Sequence, residues 1–233
     1  MLFILQFFPL RVKGLACYTR EMGIEIIITI IVAVVIILLS MTLHEAMHAF
    51  VSYWLGDDTA KLQGRLTLNP IKHIDPFLTI ILPIGLLLVG LPPFGGAKPV
   101  PFNPDRVRGD EWGAALVAIA GPLTNFVLAF IIFGIGVLIN PAAGSMGELI
   151  INLGVQINLG FFIFNILPIP PLDGSRVLYA LAPEFVRKGM RAIEQFGLIG
   201  VFIIVLFAST FIGQFMGGAI EFFYSVFNQI FRI

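Results

Sequence analysis

From Ile24 to Leu55 the chain runs without a proline or glycine and is apolar almost throughout. As one helix this stretch would be about 48 Å long at about 1.5 Å per residue. The hydrocarbon core of a bilayer is only about 30 Å thick. Such a helix must tilt, or its end must project beyond the lipid. Composition excludes the soluble alternative. The chain is 58% hydrophobic and 12% charged, whereas soluble domains carry about 25% charged residues. With 14 basic and 14 acidic residues, it has no basic field to attract nucleic acid. Its single cysteine, Cys17, excludes a disulfide framework or a cysteine-based metal cluster. The fold class expected is an all-α polytopic membrane protein of about five or six transmembrane or re-entrant segments.

Further apolar runs follow at Ile74–Leu91, Trp112–Ile139, Leu149–Leu167 and Ile193–Ile212. A last segment, Phe215–Phe231, contains Glu221, Asn228 and Gln229 and fits either a short span or an interfacial helix. Basic residues orient the chain. Lys61, Arg65 and Lys72 precede the second run; Lys98, Arg106 and Arg108 follow it; Arg176, Arg187, Lys188 and Arg191 follow the fourth. The loop 140–147 has none. That loop reads as outside and the other three as cytoplasmic. The run 74–91, with Pro83 and Gly85 at its middle, must then turn back as a hairpin rather than cross; an ordinary kinked span is the alternative. Backbone of that kind is tolerated in a membrane where protein or a wet cavity surrounds it. Arg11, Lys13 and Arg20 conflict with this orientation, which fits either a start at Met22 or a surface segment. The expected divisions are 1–22 as an N-terminal segment, 23–190 as a catalytic membrane core and 191–233 as a C-terminal span plus helix.

Inside the first run lies His44-Glu45-Ala46-Met47-His48. Positions i and i+4 share a helix face, so both histidines can bind one metal ion. Glu45 beside them is placed to take a proton from an activated water. Two of the three histidines fall here, and titratable groups inside a span are costly enough to default to function. The alternative is a pair of interfacial histidines with Glu45 reaching the headgroups. A catalytic zinc needs a third protein ligand. The extended soluble pattern would need Gly at 51 and His at 54, where the chain has Val51 and Trp54. His73, Asp57, Asp58 and Asp75 are available in polar loop sequence. Asp173 is the better candidate: it ends a proline-rich stretch after the fourth run, and Gly174 permits a turn after it. With a hairpin at 74–91, the chain returns Asp173 to the histidines' side of the membrane.

Three motifs, His44-Glu45-Ala-Met-His48, Gly121-Pro122-Leu-Thr-Asn125 and Asn165-Ile-Leu-Pro-Ile-Pro-Pro-Leu-Asp173-Gly174, together resemble the site-2 protease family of intramembrane zinc metalloproteases. The stretch Phe94–Pro104 resembles that family's short forms, and the likeness covers 24–190. It implies Zn2+ held by His44, His48 and Asp173, with Glu45 as general base. It implies transmembrane protein substrates in the lipid bilayer, cleaved near the cytoplasmic side of the cell membrane. It also implies a short extended or β edge near the active site on which a substrate unwinds. Gly95–Pro101 is the candidate edge, since residues before proline favour extended backbone. Gly95, Gly96, Lys98, Asn125 and Asn165 are the candidate substrate-binding residues. Asn158 shares a helix face with Asn165. The form expected is a core without PDZ or CBS domains. The competing reading is a non-proteolytic membrane metal-binding or transport protein using the same ligands, for which repeated halves or a second ligand set would be expected. Substrate identity and oligomeric state are not legible here.

Overall fold

Helix α1, Arg20–Trp54, changes character along its length. Ile24, Ile26, Ile27, Ile30 and Ile31 are exposed, which suits a lipid-facing stretch. Further on, Met41, Ala46, Ala49 and Ser52 are buried among neighbouring elements. Small residues let neighbouring helices approach closely there. The hydroxyls of Thr42 and Ser52 donate to the carbonyls of Leu38 (2.7 Å) and Ala49 (3.0 Å), so neither burdens the interior. At the helix end Arg108 serves two orphan carbonyls: its guanidinium donates to Trp54 O at 2.6 Å and to Leu55 O at 3.2 Å.

This computed structural model describes residues 20–88, 95–197 and 209–232, together with 200, 201, 203 and 207. The N-terminal stretch before 20, residues 89–94 and part of the 193–212 run lie outside the described residues. The protein is all-α and of membrane type. Among the described residues three helices are long and apolar enough to cross a membrane: α1, α4 (Asp110–Ile139) and α5 (Met146–Asn165). Between α1 and α4 come the short α2 (Thr59–Leu62) and α3 (Leu82–Leu88). After α5 follow α6 (Gly174–Leu181), α7 (Glu184–Glu194) and α8 (Ser209–Phe231).

Helix α4 buries Gly113, Ala114, Ala118 and Gly121, of which Gly121 lies against His44 and His48 of α1. Helix α5 is capped at its start: Ser145 Oγ accepts from Glu148 N at 3.2 Å, and Glu148 accepts from Gly144 N. Helix α8 meets α4 and α5 through edge-to-face rings, with Phe126 against Phe223 at 5.5 Å, Phe130 against Phe227 at 5.2 Å and Phe162 against Phe223 at 5.6 Å.

The 74–91 run turns back. It opens with a π-helical stretch, Pro76–Ile81, whose first N–H groups are capped by Asp75. The returning chain then lies beside that opening. Gly96 N donates to Leu78 O at 3.1 Å, Thr79 Oγ1 donates to Gly96 O at 2.7 Å, and Lys98 N donates to His73 O at 2.9 Å. Chain that leaves and returns to one level is what charge parity requires.

The expected β edge needs correction. Among the described residues there is no strand. Residues 95–103 have no regular secondary structure and pair with no strand; Pro99 and Pro101 lack the N–H a ladder needs. The donors that remain at Gly96, Lys98 and Val100 go to two carbonyls and one carboxylate.

Candidate metal centre

Residues far apart in sequence meet at one point through α1, α4, α5 and the start of α6. His44 and His48 face α4 from one side of α1, with their rings 4.7 Å apart. Each imidazole is fixed by what its Nδ1 meets: Asn125 Oδ1 at 2.6 Å for His44, and Val117 O at 2.7 Å for His48. Val117 O can only accept, so His48 Nδ1 carries its proton.

The same conclusion for His44 follows along a chain of amides. Asn158 Nδ2 donates to Gly154 O at 2.8 Å, which leaves Asn158 Oδ1 to accept from Asn125 Nδ2 at 3.0 Å. Asn125 Oδ1 is then the acceptor for His44 Nδ1–H. In its neutral form each imidazole therefore turns an Nε2 lone pair inward, and both Nε2 atoms aim at Asp173. Its Oδ2 lies 3.1 Å from His44 Nε2 and 3.4 Å from His48 Nε2. Three acceptors pointed at one another repel unless a cation or proton lies among them.

Zinc fits this donor set. Tetrahedral zinc with bonds of about 2.0–2.1 Å places its ligand atoms about 3.3–3.4 Å apart, close to both separations. All three ligand atoms lie within 4.8 Å of one another. Two imidazoles and a carboxylate also leave a fourth position open. Gly121 makes the room: a Cβ there would press on both imidazoles, 2.6 Å from His44 Nε2.

Glu45 faces the same cavity of about 270 Å³, lined also by Gly95, Gly96, Ala97, Asn165 and Arg176. Its Oε2 accepts from Val100 N at 2.9 Å, so the returning strap of the hairpin holds it.

The remaining candidates are employed elsewhere. His73 is fully buried, with Nε2 2.8 Å from Thr67 O and Nδ1 facing Arg65. Asp57 binds Thr59 N at 3.0 Å and Asn103 N at 2.7 Å. Asp58 pairs with Arg106, and Asp75 caps the hairpin. Asn165 lines the cavity but spends its Nδ2 on Phe161 O at 3.0 Å. Lys98 is exposed and does not line the cavity; its carbonyl accepts from Arg65 at 2.5 Å. Asn158, from its spacing a companion of Asn165, joins Asn125 instead. Arg176 and Val100 escaped the sequence reading: one counted only as a loop charge, and the other acts through its backbone.

An all-α membrane-type fold with a paired-histidine and carboxylate centre defines a membrane protein with a candidate metal site. The sequence matches the model of peptidase family M50 over residues 32–146 and 140–208. It is 46% identical to "Putative zinc metalloprotease YwhC" of Bacillus subtilis over 176 residues, 72% of this chain and 77% of that one. It is 33% identical to "Putative zinc metalloprotease Rip2" of Mycolicibacterium smegmatis over 172 residues, 72% of this chain and 64% of that one. The Mycobacterium tuberculosis (strain ATCC 25618 / H37Rv) protein of the same description is 34% identical over 186 residues, 77% of this chain and 68% of that one. No solved structure matches. The chain belongs to peptidase family M50, the site-2 protease family.

Proposed function

We propose that this protein is an intramembrane zinc endopeptidase that cleaves transmembrane protein substrates. The observation that carries the reading is the convergence of two imidazole nitrogens and the Asp173 carboxylate beside a second acid, Glu45, whose Oε2 accepts from Val100 N. His44, His48 and Asp173 would hold the metal. Bound zinc polarises a carbonyl and lowers the pKa of a coordinated water to about 7.

The chain's own groups account for the rest. Glu45 takes the water's proton and later delivers it to the leaving nitrogen. Val100 N–H keeps that carboxylate turned toward the cavity. Asn125 and Val117 hold the imidazoles in the ligating tautomer, as outer partners of metal sites do. The substrate-binding role falls to the strap at Gly95, Gly96 and Ala97, with Asn165 at the same cavity. The N–H and C=O of Ala97 have no partner among the described residues, and Ala97 lines the cavity. An unwound substrate segment can pair with them as an added strand. Basic loops on the strap's side favour a cytoplasmic active site. Residues 23–190 then form the catalytic core and 191–233 its support.

The test compares Glu45→Gln with wild type in the source membrane. The variant is expected to retain zinc while an uncleaved membrane protein accumulates. Identical processing of every membrane protein, with zinc still bound, overturns the reading.

A further inference from the structure

The cavity contains one cation that the reaction described above leaves unused. Arg176 lines it together with His44, Glu45, His48 and Asp173. Among the described residues it is the only lysine or arginine to do so. It lies one helical turn after Asp173, whose own backbone is helical (φ −56°, ψ −41°), so the two side chains share a face.

The Arg176 guanidinium pairs with Glu194, in the last turn of α7 and also at the cavity. The two side chains are 30% and 35% exposed. A pair this accessible contributes only about 0–1 kcal/mol, so it is a poor strut. Asn165, the other side-chain donor lining the cavity, is spent on its own helix.

Amide hydrolysis places a negative charge on the former carbonyl oxygen. We propose that Arg176 is the donor that meets this oxyanion, exchanging Glu194 for it when substrate enters. The inference rests on the peptidase reading. The water oxygen bonds to the carbonyl carbon while its proton passes to Glu45. The carbonyl π pair moves onto oxygen, where the guanidinium donates to it. That pair returns as the C–N bond breaks, and Glu45 gives its proton to the departing nitrogen. A guanidinium is always charged and presents several donors in a plane. Held at the cavity wall, such donors act most strongly where charge develops. Glu194 balances the cation while no substrate is present.

The test uses the full chain in lipid nanodiscs and the membrane protein that wild type cleaves and Glu45→Gln does not. If no such protein exists, the peptidase reading fails and this inference with it. Given that substrate, Arg176→Gln is expected to lower kcat about 10²–10³-fold, as loss of one oxyanion donor does. KM, zinc content and Tm should stay near wild type, and Arg176→Lys should recover part of the loss. Glu194→Gln should not share it, because that change frees the guanidinium. Arg176→Gln turning over within a few-fold of wild type overturns the proposal. So does a parallel fall of kcat and Tm in both variants, which marks the pair as a strut.

Discussion

Asp173 Oδ2 stands 3.1 Å from His44 Nε2 although 129 positions separate the two residues. Neither atom has a proton to spare when His44 is neutral, because Asn125 claims the one on Nδ1. The pairing therefore marks a place for a cation. Asp173→Ala should lower zinc affinity by more than the 10–100-fold typical of losing an outer partner. His73→Ala should leave zinc in place and lower stability by about 1–3 kcal/mol, since it strands buried hydrogen-bonding groups. Metal analysis of the purified variants, with thermal unfolding alongside, separates the two histidine-and-acid assignments.

Asn125 acts on His44 without lying among the three converging ligand atoms. Its replacement by Ala should weaken zinc binding about 10–100-fold, read by chelator competition. Asn158→Ala should do less, because Asn125 Nδ2 also reaches Ser40 O at 3.4 Å. Unchanged zinc affinity in Asn125→Ala would show that the amide chain does not set the tautomer.

Gly121 leaves the space on α4 that the two imidazoles need. Gly121→Ala should abolish zinc binding in a protein that still inserts, because the new methyl would occupy space at both Nε2 atoms. Gly217→Ala is the control. Nothing lies within 4 Å of a Cβ there, and the helix should gain about 0.5–1 kcal/mol from the change. A Gly121→Ala protein with full zinc occupancy would contradict the packing described above.

Asp57 is fully buried and joins the end of α1 to the strap through Asn103 N. Asp57→Ala leaves that N–H and Thr59 N without their acceptor. Each unsatisfied buried group costs about 1–3 kcal/mol, so Tm should fall clearly. Zinc content should hold, because the three metal ligands lie on α1 and at the start of α6 rather than on the strap. Loss of zinc in step with Tm would place the strap within the metal site itself.

What the sequence discloses follows the range of each interaction. His44, Glu45 and His48 are legible because helical spacing alone brings them to one face. The hairpin at 74–91 is legible from the parity of basic loops. Asp173 stands out only against rivals, since its meeting with His44 depends on the path of the four helices in between. Those rivals are removed by partners that spacing does not reveal: Thr67 O for His73, Asn103 N for Asp57, and Arg106 for Asp58. The strap reads as a strand because its prolines enforce extension, yet the same prolines deny it a ladder. Val100 could not be singled out, because its contribution to Glu45 is a backbone N–H that any residue but proline supplies. Arg176 looks like one more topological charge until the cavity is seen around it.

The central claim is that Glu45 drives hydrolysis of peptide bonds within the membrane. Its most direct measurement is the set of new protein C-termini formed in the source membrane in H2 18O, with wild type and Glu45→Gln compared at equal zinc content. Wild type should yield C-termini that carry the heavy oxygen and fall within apolar spans, and Glu45→Gln should yield none of them. The same labelled termini in both membranes, or none dependent on Glu45 while zinc stays bound, would contradict the claim.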